Sequence, residues 1–299
     1  MLVTVGSLNI DHVYQVEEIS RPGETIHTID YAKFSGGKGL NQSVAAARAG
    51  AEVKHLGCIG QEGRFLADLL AESGVDVSEV LVRENIASGH AIIQVNRAGE
   101  NSIFIYGGAN QTVEAAQLAG VLDGQAQPGW VLFQNETSEV PEMMHLAAER
   151  GWSVAYNPAP MADDLAANFP LDKVSVLFVN QLEGEELTGS NHAERIAGHL
   201  LNHYPDMAVV VTRGADGAYC GSAQGAITVD GIAVRPVDTT GAGDTFIGYF
   251  MAGFMKSGSA ETALALANCA AAVCVTRAGA AASIPYAAEL DDQAAPPQE

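Results

Sequence analysis

Short apolar, β-branched runs alternate along this chain with longer stretches in which apolar and alanine positions recur every three to four residues. Residues 2–7, 53–59, 131–134, 153–156, 174–179 and 208–212 carry the first pattern and read as strands. Residues 39–49, 64–72 and 140–150 carry the second and read as helices, as does the spacing of Phe246, Ile247, Phe250 and Phe254. Alternation of this kind predicts βαβ units, and so a mostly parallel sheet covered by helices on both faces. Two segments break the rhythm. Residues 12–34 scatter Val, Tyr and Ile among polar residues with no helical period, and 90–96 and 102–106 read as two strands joined by the turn-like RAGEN at 97–101. Both predict antiparallel strands inserted into the α/β body, a small flap of the kind that acts as a lid. From Ala287 to residue 299 the chain turns acidic and is expected to fray.

Composition narrows the class. A length of 299 residues, 47% of them hydrophobic, is enough for one large α/β domain. No apolar run reaches the roughly eighteen residues that would mark a membrane span. The opening MLVTVGSLNID lacks a basic region and a cleavage site, so it reads as a strand and not as a signal peptide. Cysteines at 58, 220, 269 and 274 show no C-x2-C spacing and fit reduced thiols in the cytoplasm. Fifteen basic residues against thirty-six acidic ones give a formal charge of −21, which argues against sequence-independent nucleic-acid binding. Any polyphosphate ligand must then be held by local N–H groups, a metal ion and a few cations, against the net field.

The chemistry concentrates in a few motifs. VDTTGAGDTF at 237–246 sets Gly241, Ala242 and Gly243 before Asp244 and an apolar helical run. That order places a glycine-rich turn at a helix N-terminus, where unpaired N–H groups and the dipole favour an anion. A carboxylate there repels a phosphate, so it makes sense as a base for an attacking hydroxyl; the plainer alternative is a helix cap. GSLNID at 6–11 puts Asn9 and Asp11 just past the first strand, where open α/β sheets bind ligands and where an amide and a carboxylate can grip vicinal hydroxyls, or form an Asx turn. SGGKGLNQ at 35–42 opens a helix with Gly37, the cation Lys38 and, one turn on, Asn41. Glu136 ends another strand. Asn180 and Glu183 have the spacing of a capping box, and equally of an outer-shell grip on hydrated Mg2+. TRGADG at 212–217 can lay glycine backbone along a nucleotide or enter a hairpin. His199 and His203, at i and i+4 with no third ligand nearby, read as a solvent-facing pair. Neither G-x(4)-G-K-[ST] nor a GxGxxG after the first strand is present.

GSLNID, GGKGLNQSVAAARAGA, NPAP at 157–160, the N-x-x-E ahead of LTG, TRGADG, DTTGAGDTF and VTRAGAAASIP at 275–285 occur in this order. Together they resemble the ribokinase family of carbohydrate kinases, from about Val3 to Pro285. The resemblance implies a single domain over 1–299, a three-layer α/β/α sandwich with a small β-sheet lid built from 12–34 and 90–106. It also implies a cytoplasmic homodimer joined through that lid. By position, Asp244 matches the catalytic base and Gly241, Ala242 and Gly243 the anion hole. Asn9, Asp11, Gly37, Lys38, Asn41 and Glu136 match sugar contacts. Asn180, Glu183, Thr212, Gly214, Gly217, Gly243 and Asn268 match the nucleotide side, with Asn180 and Glu183 associated with Mg2+ and phosphate. Asp238, Thr240, Cys274, Arg277, Gly279 and Ser283 match a K+ site, several through backbone carbonyls. Departures from the family pattern are Val179 for a proline, Gln181 for a glutamate, Asn268 for a frequent histidine, and Asn135 and Thr137 around Glu136.

The implied reaction is transfer of the γ-phosphoryl group of ATP to the 5-hydroxyl of D-ribose. The base is expected to ionise near the ordinary aspartate value of about 3.9. Two alternatives stand beside it: another acceptor (deoxyribose, fructose, a sugar acid or a nucleoside), and a non-catalytic sugar or nucleotide sensor, against which Asp244 argues.

Overall fold

The computed structural model describes residues 1–162 and 165–291. Strand β1 (Leu2–Val5) leads into β2 (Asn9–Gln15) and β3 (Asp30–Gly36), followed by α1 (Lys38–Arg48), β4 (Val53–Gly60), α2 (Arg64–Glu72) and β5 (Asp76–Arg83). Next come β6 (Gly89–Val95), β7 (Asn101–Tyr106), α3 (Ala115–Asp123), β8 (Trp130–Phe133), α4 (Val140–Glu149), β9 (Ser153–Tyr156) and the short α5 (Leu165–Asn168). The chain continues through β10 (Val174–Asn180), α6 (Gln181–Thr188), α7 (Ala193–His203), β11 (Ala208–Thr212), β12 (Ala218–Ser222) and β13 (Gly225–Val229). Helices α8 (Ala242–Ser257), α9 (Ala260–Cys274) and α10 (Ala288–Asp291) complete it.

The large sheet runs β13-β12-β11-β10-β9-β8-β1-β4-β5. It is parallel from β11 to β5, with the β12–β13 hairpin antiparallel at one edge. Side chains alternate across it as the strand period requires: Leu2 enters one core, Val3 and Val5 the other. Leu40, Val44, Leu66, Phe250 and Leu264 bring α1, α2, α8 and α9 onto the first face. Leu118, Met143, Met144 and Ile196 bring α3, α4 and α7 onto the second. This is the expected three-layer sandwich. Helix α8 is buried from Thr245 through Gly253 because it packs on the sheet and against both α1 and α9, so an apolar stripe on one side alone would not suffice.

A separate sheet runs β3-β2-β6-β7. The two inserted segments therefore pair with each other, β2 lying parallel to β6. Its first strand begins at Asn9, earlier than the expected 12, so Asn9 and Asp11 belong to this second sheet and not to a turn leaving β1. Strand β5 and the β12–β13 hairpin extend the large sheet beyond what the sequence pattern marked. The expected fraying from 287 fails at its start: 288–291 form α10, Leu290 is buried, and Glu289 pairs with Arg277 at 2.6 Å. Residues 292–299 lie outside the described residues. No helix among the described residues is long and apolar enough to cross a membrane.

The closeness of α1 to α8 depends on Gly248. A methyl group there would sit 2.6 Å from the Gln42 carbonyl oxygen and against the Ala45 side chain. Alanine for glycine inside a helix ordinarily gains about 1 kcal/mol, whereas overpacking costs about 1–3 kcal/mol. Gly248→Ala is therefore expected to lower the melting temperature; a rise in a thermal scan would show that the contact is loose.

Candidate active site

Two helices start at one spot, each from a glycine with positive φ: Gly37 (98°) before α1 and Gly241 (76°) before α8. Such angles are open to glycine and strained for other residues. The first bonds of α8 run from the Thr245 N–H and hydroxyl to the Gly241 carbonyl, both 2.8 Å. The amides of Gly243 and Asp244 precede them and lack intrahelical partners, while the Ala242 amide turns back to the Thr239 carbonyl at 3.3 Å. Of the expected 241–243, only the Ala242 amide is engaged by the backbone, and the Asp244 amide is likewise free of a backbone partner.

Asp244 stands in the first turn of α8 and reaches over to α1. Asn41 Nδ2 donates to its Oδ2 at 3.0 Å, and Gln42 Nε2 to its Oδ1 at 2.9 Å. Burial pushes its pKa up, Glu136 adds to the rise, and Lys38 with the two amides opposes it; the net direction is upward. This corrects the expectation of an ordinary aspartate. The carboxylate is a stronger proton acceptor than a free one, and is protonated at a higher pH.

Lys38 is the cation of this group. Burial pulls its pKa down, but Asp244, Glu136 and Glu183 outweigh that and hold it charged. Glu136 is anchored rather than solvated: its Oε2 accepts from the Ser7 hydroxyl and from the Lys38 N–H at 3.0 Å, at the positive end of α1. Asp11 points from the second sheet into the same region. A side chain at Gly36 would collide with its carboxylate. Burial, and then Glu136, raise its pKa to about 6. Asn9 is buried, and its Oδ1 accepts from Asn110 Nδ2 at 2.7 Å.

A polar cavity of about 170 Å3 opens before Asp244, lined also by Lys38, Asn180, Glu183 and Gly241. Thr212 and Gly243 line it and a second, mostly apolar cavity of about 470 Å3, which the residues Gly214, Gly217, Phe246 and Asn268 also border. The structure so brings the expected nucleotide-side residues together around two adjoining spaces. Asn180 and Glu183 do form the capping box, each side chain accepting the other's backbone N–H at 2.9 Å. Glu183 Oε1 is not used in it, so one carboxylate oxygen remains for a hydrated cation. Asn268 Nδ2 is bonded to the Asp230 carbonyl at 2.8 Å. TRGADG both borders the apolar cavity and enters the β12–β13 hairpin.

Behind Gly241, Asp238 ties two loops, accepting from the N–H of Thr240 and of Gly279 at 2.9 Å each. Burial pulls its pKa up, but these bonds win and hold it low. Cys274 Sγ lies 3.0 Å from Ser283 Oγ and 4.0 Å from the Thr240 carbonyl. The Arg277 side chain turns to Glu289, leaving only its backbone to this loop. Carboxylate and carbonyl oxygens of this kind suit a hard monovalent cation. His199 and His203 are exposed, with ring centroids 5.0 Å apart, and among the described residues no three His, Cys, Asp or Glu gather as a metal site. Cys58, Cys220, Cys269 and Cys274 are all free.

The model of the pfkB family of carbohydrate kinases matches residues 1–287. The chain belongs to that family. It is similar to the ribokinase of Haemophilus influenzae, 35% identical over 295 residues with 95% of each chain covered. It is likewise similar to that of Staphylococcus aureus, at 32% over 303 residues, 97% of this chain and 98% of that one. Among solved structures, Arabidopsis thaliana ribokinase complexed with ribose and ATP superposes with a TM-score of 0.86 at 28% identity, covering 97% of both chains. Ribokinase from Cryptococcus neoformans in complex with ADP gives 0.83 at 31%, over 98% of this chain and 99% of that one. Sequence motifs led to Asp244, Lys38 and Glu136, but not to Ser7, Gln42, Asn110, Gln134 or Asn157, which hold the motif residues in place.

As a carboxylate Asp11 can accept from hydroxyls on both of its oxygens; protonation turns one of them into a donor. Since its pKa is raised to about 6, protonation removes that acceptor as pH falls through 6. Calorimetric affinity for the sugar is expected to be flat above pH 7 and to fall by about tenfold per pH unit well below 6. Asp11→Asn should bind weakly with that dependence lost; an unchanged acid limb in this variant would assign the titration elsewhere.

Proposed function

We propose that this kinase transfers the γ-phosphoryl group of ATP to the 5-hydroxyl of D-ribose, giving ribose 5-phosphate and ADP. The observation that carries the reading is Asp244: a carboxylate made more basic by its surroundings, at a helix N-terminus, on the wall of a polar cavity that adjoins an apolar one. The names of the relatives at 30–35% identity, and the ribose and ATP bound by the Arabidopsis protein, support the choice of substrates. Nucleoside kinases share the fold at 20% identity, which says nothing of the acceptor here.

In this reading Asn9, Asp11, Lys38, Asn41 and Glu136 hold the sugar, and Asp244 takes the proton of the attacking hydroxyl. The new O–P bond forms as the bond to the β-phosphate oxygen breaks, and ADP leaves. Charge builds on the transferring oxygens, where the free amides at 243 and 244 and the Lys38 ammonium sit. General-base assistance is worth about 10²–10⁴-fold, or roughly 3–5 kcal/mol. Mg2+ would be held by the ATP phosphates and, through water, by Glu183, supplying positive charge to the phosphates. K+ would lie among Asp238, the Thr240, Cys274, Arg277 and Gly279 backbone and Ser283, stiffening the loop before the anion-binding amides.

The second sheet acts as the lid and as the dimer interface. The face carrying Asp11 continues through Phe34, Ile103 and Ile105, which are 50%, 50% and 64% exposed. An apolar surface of that kind on a sheet calls for a cover. A second copy of the chain supplies it, in a cytoplasm that keeps the four thiols reduced.

ADP release measured over a panel of sugars, with and without K+, is expected to be greatest with ribose and to be stimulated by K+. Asp244→Asn should retain ribose and ATP binding while turnover drops at least about 10²-fold; near-normal turnover would remove Asp244 from its role. Ile105→Glu should convert a dimer to a monomer in sedimentation, and a wild-type monomer would refute the interface.

A further inference from the structure

Asp244 is oriented from behind by a chain of amides that the reaction itself does not call for. Gln42, fully buried on α1, donates through Nε2 both to Asp244 Oδ1 at 2.9 Å and to Asn157 Oδ1 at 3.2 Å. Its Oε1 accepts from Gln134 Nε2 at 2.8 Å. Asn157 in turn donates Nδ2 to the Phe178 carbonyl oxygen at 3.2 Å.

That last contact fixes the polarity of the whole chain. A carbonyl oxygen only accepts, so Asn157 must present its NH2 to Phe178 and its oxygen to Gln42. Gln42 must then present its NH2 to Asn157 and Asp244, and its oxygen to Gln134. Turned over, it would set its oxygen against two acceptors and its NH2 against another NH2, in a dry interior where each mismatch is expensive. Asn41 behaves differently. Its Nδ2 holds Asp244 Oδ2, but its own Oδ1 is buried without a partner, so no second contact fixes this side chain.

We infer that Gln42 is a positioning residue for phosphoryl transfer: the Phe178–Asn157–Gln42 chain locks Oδ1 of Asp244 and leaves Oδ2 as the oxygen that receives the acceptor's proton. The inference rests on the kinase reading above. The charged groups facing Asp244 are Lys38 on α1 and Glu136 beyond β8, with Glu183 of α6 acting on Lys38. None of these is altered by a change at Gln42.

The test uses Gln42→Leu, which removes the donor, and Gln42→Glu, which keeps the shape and adds a second carboxyl group. In Gln42→Leu, kcat at neutral pH is expected to fall about tenfold as Asp244 loses its orientation, and the acid limb of the kcat profile to move up by about one pH unit through loss of one charge-assisted bond; in Gln42→Glu the second carboxyl group facing Asp244 should move the limb up further. KM for ribose and ATP should stay within about twofold, since Gln42 touches neither. Gln134→Leu, one step removed, should move the limb the same way by less. A merely structural role would lower the melting temperature without moving the limb. Carboxyl-carbon NMR of Asp-labelled protein, with Asp244 assigned through Asp244→Asn, reads the same shift without turnover. Folded Gln42 variants with a wild-type Asp244 titration would overturn the inference. Absence of ribose-dependent ADP release in the wild type would instead overturn the kinase reading, and the NMR titration would still decide the role of Gln42.

Discussion

A helix N-terminus that favours anions here carries an ionisable carboxylate of its own, whose charge would repel any phosphate brought to the same place. Asp244 is a first-turn residue of α8, within the reach of amides that favour an anion. Holding it there takes compensation from a second helix. Helix α1 supplies Lys38, Asn41 and Gln42, a cation and two amides from consecutive turns, and it can supply them only because Gly248 lets the helices approach. The pKa of Asp244 records the balance: burial and Glu136 win over Lys38 and the amides, so the group is more basic than a free aspartate.

The overall charge of −21 gives this local balance its meaning. A highly anionic ligand meets a protein whose net field opposes it. The apolar cavity has no charged side chain among the described residues that line it, and in the polar cavity Lys38 is the only cation. Affinity for polyphosphate must therefore come from backbone amides and from cations brought with the ligand or held beside the loop. Asp238 fits this scheme. Its carboxylate stays charged through hydrogen bonds from the N–H of Thr240 and of Gly279, a fixed negative charge behind the Gly241 turn.

Legibility in the sequence follows chemistry that acts through the local chain. The glycine turn before Asp244, the GGKG turn before α1 and the strand–helix rhythm were all readable, because each depends on neighbours within a few residues. The capping box at Asn180 and Glu183 was readable for the same reason, and it formed. Gln42, Gln134 and Asn157 were given no role, because their meaning arises when the ends of β8 and β9 meet α1, across 92 and 115 residues of chain. A helix-face argument even pointed away from Gln42, since adjacent residues diverge by about 100° around a helix. Asp244 sits between the two directions and takes one bond from each. The edge strands β5 and β13 escaped notice because they are half exposed and lack the continuous apolar run of central ones, and the buried β12 because Gly221 and Ser222 end its apolar run after three residues.

The two sheets divide the chemistry between them. Asp244, Lys38 and Glu136 are fixed to the large sheet through helix ends and strand ends, whereas Asn9 and Asp11 ride on the second sheet. One link between the two is Asn110, fully buried, which bonds the Leu8 N–H at 3.0 Å and the Asn9 side chain at 2.7 Å; Ser88 makes another, with the Gly60 N–H at 2.8 Å and Glu62 at 2.7 Å. Asp11 has no hydrogen-bond partner among the described residues and sits in an environment that disfavours its charge. A hydroxyl donating to Asp11 would relieve that unfavourable state, so the second sheet carries a carboxylate whose charge the protein itself leaves unsatisfied.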